Sequence, residues 1–233
     1  MSDPETMTGR GNAPPGFSLP ASADVILLHG FFGAPWTMRM LGRALRPGGL
    51  QPWSPWYESW AQPFDAIVDR ICAVVTQRGL GRERPVHFVG HSMGGLIARA
   101  VVAKADPVKM GRMVMIGTPN AGSEIADFCQ RQRMLRPILG QAAAALVTRR
   151  TLPALDDLED PTYPVGVIAG NRPLPGPLRI LPAPHDGKVS VASTHIAGEA
   201  DHIVLPVSHA IMPFNRDVQR QTLRFLVDGS FAR

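Results

Sequence analysis

Only two cysteines occur in 233 residues, Cys72 and Cys129, and neither belongs to a CxxC pair or to a metal-like spacing. A disulfide framework and a zinc-ligand scaffold are therefore excluded as organising principles. Both cysteines fall in helical patterns and are expected to be reduced core thiols, with an inter-element disulfide in an exported form as the alternative. Long apolar runs are missing as well. No stretch approaches the roughly 18–20 residues of a membrane-spanning helix. Residues 1–22 are polar and rich in proline and glycine, without the apolar segment of a signal peptide. The expectation is a cytoplasmic protein with a disordered tail over 1–22 and one domain over 23–233. Lys and Arg exceed Asp and Glu, for a net charge of +5. The arginines are dispersed and lack interleaved aromatics, which argues against nucleic acid as a partner. Weak contact with an anionic lipid surface fits the charge, and so does the plainer reading of a solvated basic surface. Repeats and biased tracts are absent, and the 45% apolar content suffices for a substantial core.

What is present centres on Gly90-His91-Ser92-Met93-Gly94-Gly95, a GxSxG pattern. An apolar run, Val86-His87-Phe88-Val89, precedes it, and a helix-forming run from Leu96 to Lys104 follows. Strand, sharp turn and helix would hold Ser92 in a strained conformation with its Oγ exposed and the Met93 N–H aimed where an oxyanion forms. An ordinary glycine-rich turn is the bland alternative, so support must come from the rest of the chain.

That support is an alternation of strand and helix. Residues 23–30 form a continuous apolar, β-branched run that ends at His29-Gly30-Phe31-Phe32-Gly33, the pattern of a buried parallel strand with a glycine-bracketed loop. Pro35 opens a helix whose apolar face is expected at Trp36, Met40, Leu41, Ala44 and Leu45. A short proline-broken stretch over 50–56 is expected to be a second strand and the loop above it, followed by a helix carrying Phe64, Ile67, Val68, Ile71, Val74 and Val75. After the serine segment come strands at 112–116, 165–169 and 202–206 and a final helix over 213–228. This predicts an α/β fold, a parallel sheet with helices on both faces. Between Asn120 and Asp160 the alternation lapses. Ile125, Phe128, Cys129, Met134 and Leu135, then 142–147, suggest helices, so 121–160 is either a cap over the sheet's carboxyl edge or a connector.

A serine hydroxyl needs a base, and the base needs an orienting acid. Of seven histidines, His29 precedes the loop glycine, His87 lies inside a strand, His91 is in the turn itself and His202 begins a strand at the far end. His209 alone follows the last strand at its carboxyl edge. The chain order serine, acid, histidine places the acid between 92 and 209, best at Asp186 in the Asp186-Gly187 turn. Asp156, Asp157, Asp160 and Asp201 are the rivals. The second oxyanion donor is expected at the Phe31 N–H, with Phe32 lining an acyl pocket or simply packing.

Taken together, His29-Gly30-Phe31-Phe32-Gly33, the turn at 90–95, the run Gly117-Thr118-Pro119-Asn120-Ala121-Gly122-Ser123, Asp186-Gly187-Lys188-Val189 and His209 resemble an α/β-hydrolase, similar to the small bacterial lipases and esterases. The resemblance covers 24–228 and implies a three-layer fold on a minimal, mostly parallel sheet of about six strands. Asn120 departs from it, since the family's glycine-threonine-proline run typically continues with histidine. The implied activity is hydrolysis of a carboxylic ester with an apolar acyl group through an acyl-Ser92 intermediate, without metal or cofactor. Thioesterase, amidase or acyltransferase chemistry on the same residues, and a non-catalytic ligand-binding member of the fold, are the alternatives.

Overall fold

The computed structural model describes residues 22–131, 142, 145–147, 155, 159–174 and 181–233, without the side chains of 128–131. Six parallel strands form one sheet: β1 (Ala23–Leu28), β2 (Leu50–Trp53), β3 (Val86–His91), β4 (Met110–Ile116), β5 (Val165–Gly170) and β6 (Asp201–Leu205). Their spatial order is β2-β1-β3-β4-β5-β6. The apolar runs become strands because both faces of the sheet are covered. Val25 and Leu27 face one layer while Ile26 and Leu28 face the other, as the two-residue period of a strand requires. On the first side lie α1 (Arg39–Leu45) and α6 (Arg216–Asp228), which contribute Leu41, Leu45, Phe225 and Leu226. On the second lie α2 (Phe64–Gln77) and α3 (Met93–Ala105), which contribute Ile67, Ile71, Leu96 and Val101. The parallel register brings the carboxyl ends of β1 and β3 side by side, with Leu28 opposite Gly90. The loops after β1, β3, β5 and β6 therefore open at one edge, where such sheets bind ligands.

Two expectations need correction. The helix begun at Pro35 opens as a 3-10 turn, Pro35–Met38, before α1. Three residues per turn instead of 3.6 rotate the buried face, so Met38, Leu41 and Leu45 are inside while Trp36 and Met40 point to solvent. The final helix is also divided. A 3-10 segment, His209–Phe214, precedes α6, and Asn215 caps α6 by accepting hydrogen bonds from the Asp217 and Val218 N–H groups.

Helix α4 (Glu124–Arg131) begins the predicted insertion. Ala142, Ala145, Leu146, Val147 and Leu155 are buried against the α2–α3 side. Met134, Leu135, Asp156 and Asp157 lie outside the described residues. A single turn, α5 (Val191–Thr194), precedes β6. Cys72 is a free, half-buried thiol, its pKa raised by burial. No described helix is long and apolar enough to cross a membrane.

Candidate active site

Ser92 stands between β3 and α3 with φ 56° and ψ −126°, a conformation that L side chains rarely adopt. Its N–H is held by the Ile116 carbonyl at 2.8 Å, which ties the turn to the next strand. Although Ser92 occupies the cap position of α3, its hydroxyl makes no capping hydrogen bond. The flanking glycines are a matter of space. A Cβ on Gly90 would collide with the backbone of Gly94 and Gly95, and one on Gly94 with the Leu28 carbonyl.

Asp186 and His209 come from loops on neighbouring strands, β5 and β6. The His209 Nδ1–H donates to Asp186 Oδ2 at 2.7 Å, and both side chains are almost fully buried. A carboxylate can only accept, so this contact sets the tautomer: Nδ1 carries the proton and Nε2 is free to take one. The other carboxylate oxygen, Oδ1, accepts the N–H groups of Lys188 and Val189, both at 2.8 Å. The Asp186 carbonyl also accepts the His209 N–H at 3.0 Å. The two loops are thus cross-linked through side chain and backbone, and the predicted Asp-Gly turn is what presents the carboxylate.

Ser92 and His209 line one cavity of about 530 Å³, together with Phe31, Phe32, Ile125 and Leu146. Phe31 and Phe32 are in ring contact at 4.4 Å, and Phe32 has φ 57°, which turns the loop sharply beside Ser92. His29 anchors this loop from below. Its ring stacks on Tyr57 at 3.9 Å, and the Tyr57 hydroxyl donates to the His29 carbonyl at 2.6 Å. Burial lowers the His29 pKa to about 4, so it remains a neutral packing group.

The structure therefore brings together Ser92, Asp186, His209, Phe31 and Phe32, with Met93 following the serine. It separates the two rivals that lie among the described residues. Asp201 at the start of β6 accepts the Phe231 N–H at 2.8 Å and pairs with Arg233 at 2.5 Å, and Asp160 belongs to the segment before β5. Two contributors have no predicted role. His91 donates its Nε2–H to the His209 carbonyl at 3.1 Å, and a Cβ on Gly117 would meet His209 Nδ1 at 3.2 Å and Asp186 Oδ2 at 3.3 Å. Position inside the GxSxG pattern was the only available signal for His91. Burial and the adjacent His209 hold the His91 pKa well below the ordinary value, which keeps it neutral. Among the described residues no group of three His, Cys, Asp or Glu side chains is placed to hold a metal.

Comparison with known proteins bears on the fold. Residues 49–154 match the family described as palmitoyl protein thioesterase. The triacylglycerol lipase of Pseudomonas fragi is 31% identical over 131 residues, which is 53% of this chain and 43% of that enzyme. The triacylglycerol lipase of Pseudarthrobacter phenanthrenivorans is 51% identical over 45 residues, 19% of this chain and 14% of that one. Among solved structures, the Bacillus licheniformis lipase in its propeptide form superposes with a TM-score of 0.75 at 16% identity, covering 92% of this chain and 52% of its own. The chain has the α/β-hydrolase fold. The chain spans less than half the length of the curated relatives it matches. Among the described residues its sheet has six strands, all of them parallel.

Proposed function

We propose that the chain is a serine hydrolase that cleaves carboxylic esters through an acyl-Ser92 intermediate. The observation that carries this reading is the 2.7 Å His209–Asp186 hydrogen bond at the cavity that also exposes the strained Ser92. His209 Nε2 takes the proton of Ser92 Oγ as Oγ bonds to the ester carbonyl carbon. Charge then develops on the carbonyl oxygen, where the Phe31 and Met93 N–H groups act as donors. Collapse breaks the carbon–alkoxide bond, and His209 returns its proton to the departing alcohol. Water, deprotonated by the same nitrogen, attacks the acyl carbon; the carbon–Oγ bond then breaks, His209 returns the proton to Ser92 Oγ, and the acid is released. Asp186 holds the tautomer throughout and stabilises the imidazolium.

The apolar walls supplied by Phe31, Phe32, Ile125 and Leu146 support an apolar acyl group. In this reading the cap role proposed for the 121–160 segment is supported by its described residues Ile125 and Leu146 on the cavity wall, and nucleic acid is not a partner. Labelling by a fluorophosphonate probe tests the nucleophile: the wild-type chain reacts and Ser92→Ala does not. Equal labelling of both removes Ser92 from the mechanism.

A second reading rests on the match of residues 49–154 to palmitoyl protein thioesterase, and it places a thioester at the same serine. Oxygen and sulfur esters of one acyl chain, compared by kcat/KM, decide between the two. A cytoplasmic location accompanies both readings, supported by the free Cys72 thiol. Recovery of the native chain from the medium or the periplasm overturns that location.

A further inference from the structure

Three of the four tryptophans are exposed: Trp36 at 63%, Trp56 at 51% and Trp60 at 47%. The fourth, Trp53, is covered by the Arg78 guanidinium, 4.2 Å from its ring centroid. Phe32, Met40, Ile211 and Phe214 are exposed as well. These side chains sit on the loop after β1, the Pro35–Met38 turn with α1, the loop after β2 and the 3-10 segment after β6. Ring contacts join them across the loops, Phe32 with Trp60 at 6.4 Å and Trp36 with Trp56 at 5.8 Å. Phe32 and Phe214 also line the Ser92 cavity, so the patch surrounds its mouth. An apolar surface of this kind on a folded chain marks a binding face.

The same face carries positive charge. Trp36 shares a groove of about 730 Å³ with Arg39, Arg43 and Arg46. Spacing of four and three places these exposed guanidinia along one stripe of α1 and the turn after it. Among the described residues, no ion pair engages any of the three. Two carboxylates lie nearby. Glu58 stands between Trp56 and Trp60, and Asp217, beyond Phe214, is paired with Arg220 at 2.9 Å. The net character is aromatic and cationic.

Indole rings suit the boundary between headgroups and acyl chains, and arginines beside them suit lipid phosphates. We propose that this face docks on an anionic phospholipid surface. Trp36, Trp56 and Trp60 sit at headgroup depth, Arg39, Arg43 and Arg46 engage phosphates, and the Ser92 cavity opens onto the bilayer. Docking stands on the surface alone. Only the statement that acyl substrate enters from the bilayer rests on the ester-hydrolase reading.

The test is co-sedimentation of the full chain with phosphatidylglycerol-containing vesicles and with pure phosphatidylcholine vesicles. The wild-type chain is expected to pellet with the anionic vesicles and to show a blue shift of tryptophan emission. Trp36→Ala with Trp56→Ala, and separately Arg39→Glu with Arg43→Glu, lower partitioning by at least about ten-fold, since each basic residue near such a surface contributes on the order of five-fold. Hydrolysis of a short soluble ester by both variants stays at the wild-type rate. These side chains are exposed, and circular dichroism checks that the variants remain folded. The proposal is overturned by failure of the wild-type chain to pellet, by variants that pellet as well as wild type, or by a wild-type dimer that the tryptophan variant dissociates without any vesicle binding. Vesicle binding without fluorophosphonate labelling sinks the hydrolase reading and leaves docking standing.

Discussion

The His91 imidazole, one residue before the serine, donates its Nε2–H to the carbonyl of His209 at 3.1 Å. The serine turn therefore grips the loop carrying the histidine directly, not only through the sheet. Removing this hydrogen bond with His91→Ala should lower kcat about five-fold with KM little changed, because one neutral hydrogen bond is worth about 1 kcal/mol. His91→Gln, which keeps a donor, should recover part of the loss. Equal losses in both variants would assign His91 to packing alone.

Ser92→Ala should lower ester turnover by on the order of 10⁶, the loss seen when a serine nucleophile is removed. Ser92→Gly should be equally inactive and yet melt at a higher temperature than Ser92→Ala. Glycine tolerates φ 56°, whereas a Cβ held there costs about 1–3 kcal/mol. Calorimetry of the two variants checks this.

Asp186→Asn keeps an oxygen for the Lys188 and Val189 N–H groups but turns an amide toward His209 Nδ1. The wrong tautomer follows, with a turnover loss on the order of 10⁴. Asp201→Asn weakens contacts to Phe231 and Arg233 and should affect melting temperature more than turnover. A crippled Asp157→Asn variant beside an active Asp186→Asn variant would move the acid to another loop.

Gly117 has φ 57°, and a Cβ there would press on both partners of the His209–Asp186 pair. Gly117→Ala should therefore reduce turnover at least about ten-fold and also destabilise the fold by about 1 kcal/mol or more. Wild-type kcat in this variant would show that the pair tolerates displacement.

Acid should destabilise the chain through its buried neutral histidines. Burial lowers His29 and His87 to about 4, with the Arg112 charge adding to the effect on His87, against an ordinary value of 6.5. Between those values the unfolded chain binds more protons than the folded one. Stability is therefore unaffected above 6.5 and is lost as pH falls from 6.5 to 4, on the order of 3 kcal/mol for each histidine. His87 Nδ1 accepts the Arg112 N–H at 2.7 Å, a role that Asn can fill. His87→Asn should flatten the pH dependence of denaturant unfolding by about one proton, and an unchanged slope would remove His87 from the account.

Strand runs, helix periods and the GxSxG turn were legible in the sequence because each is encoded within a few residues. A strand buried on both faces is continuously apolar, and a turn that brings Gly94 against the Leu28 carbonyl admits no Cβ. The position of His209 was legible as well, since only one histidine follows the last strand at the correct edge. The contact between Asp186 and His209 was decided by tertiary structure. Twenty-three residues separate them, and their meeting depends on two loops from adjacent strands that hydrogen-bond each other at the backbone. Helical periodicity placed Trp36 and Met40 inside, whereas the 3-10 turn rotated them outward, a change of about 20° per residue that residue types do not record. The hydrogen bond of His91 and the space left by Gly117 were equally out of reach. Each acts on a loop more than 60 residues away in sequence, and no local pattern records what the fold will bring beside it.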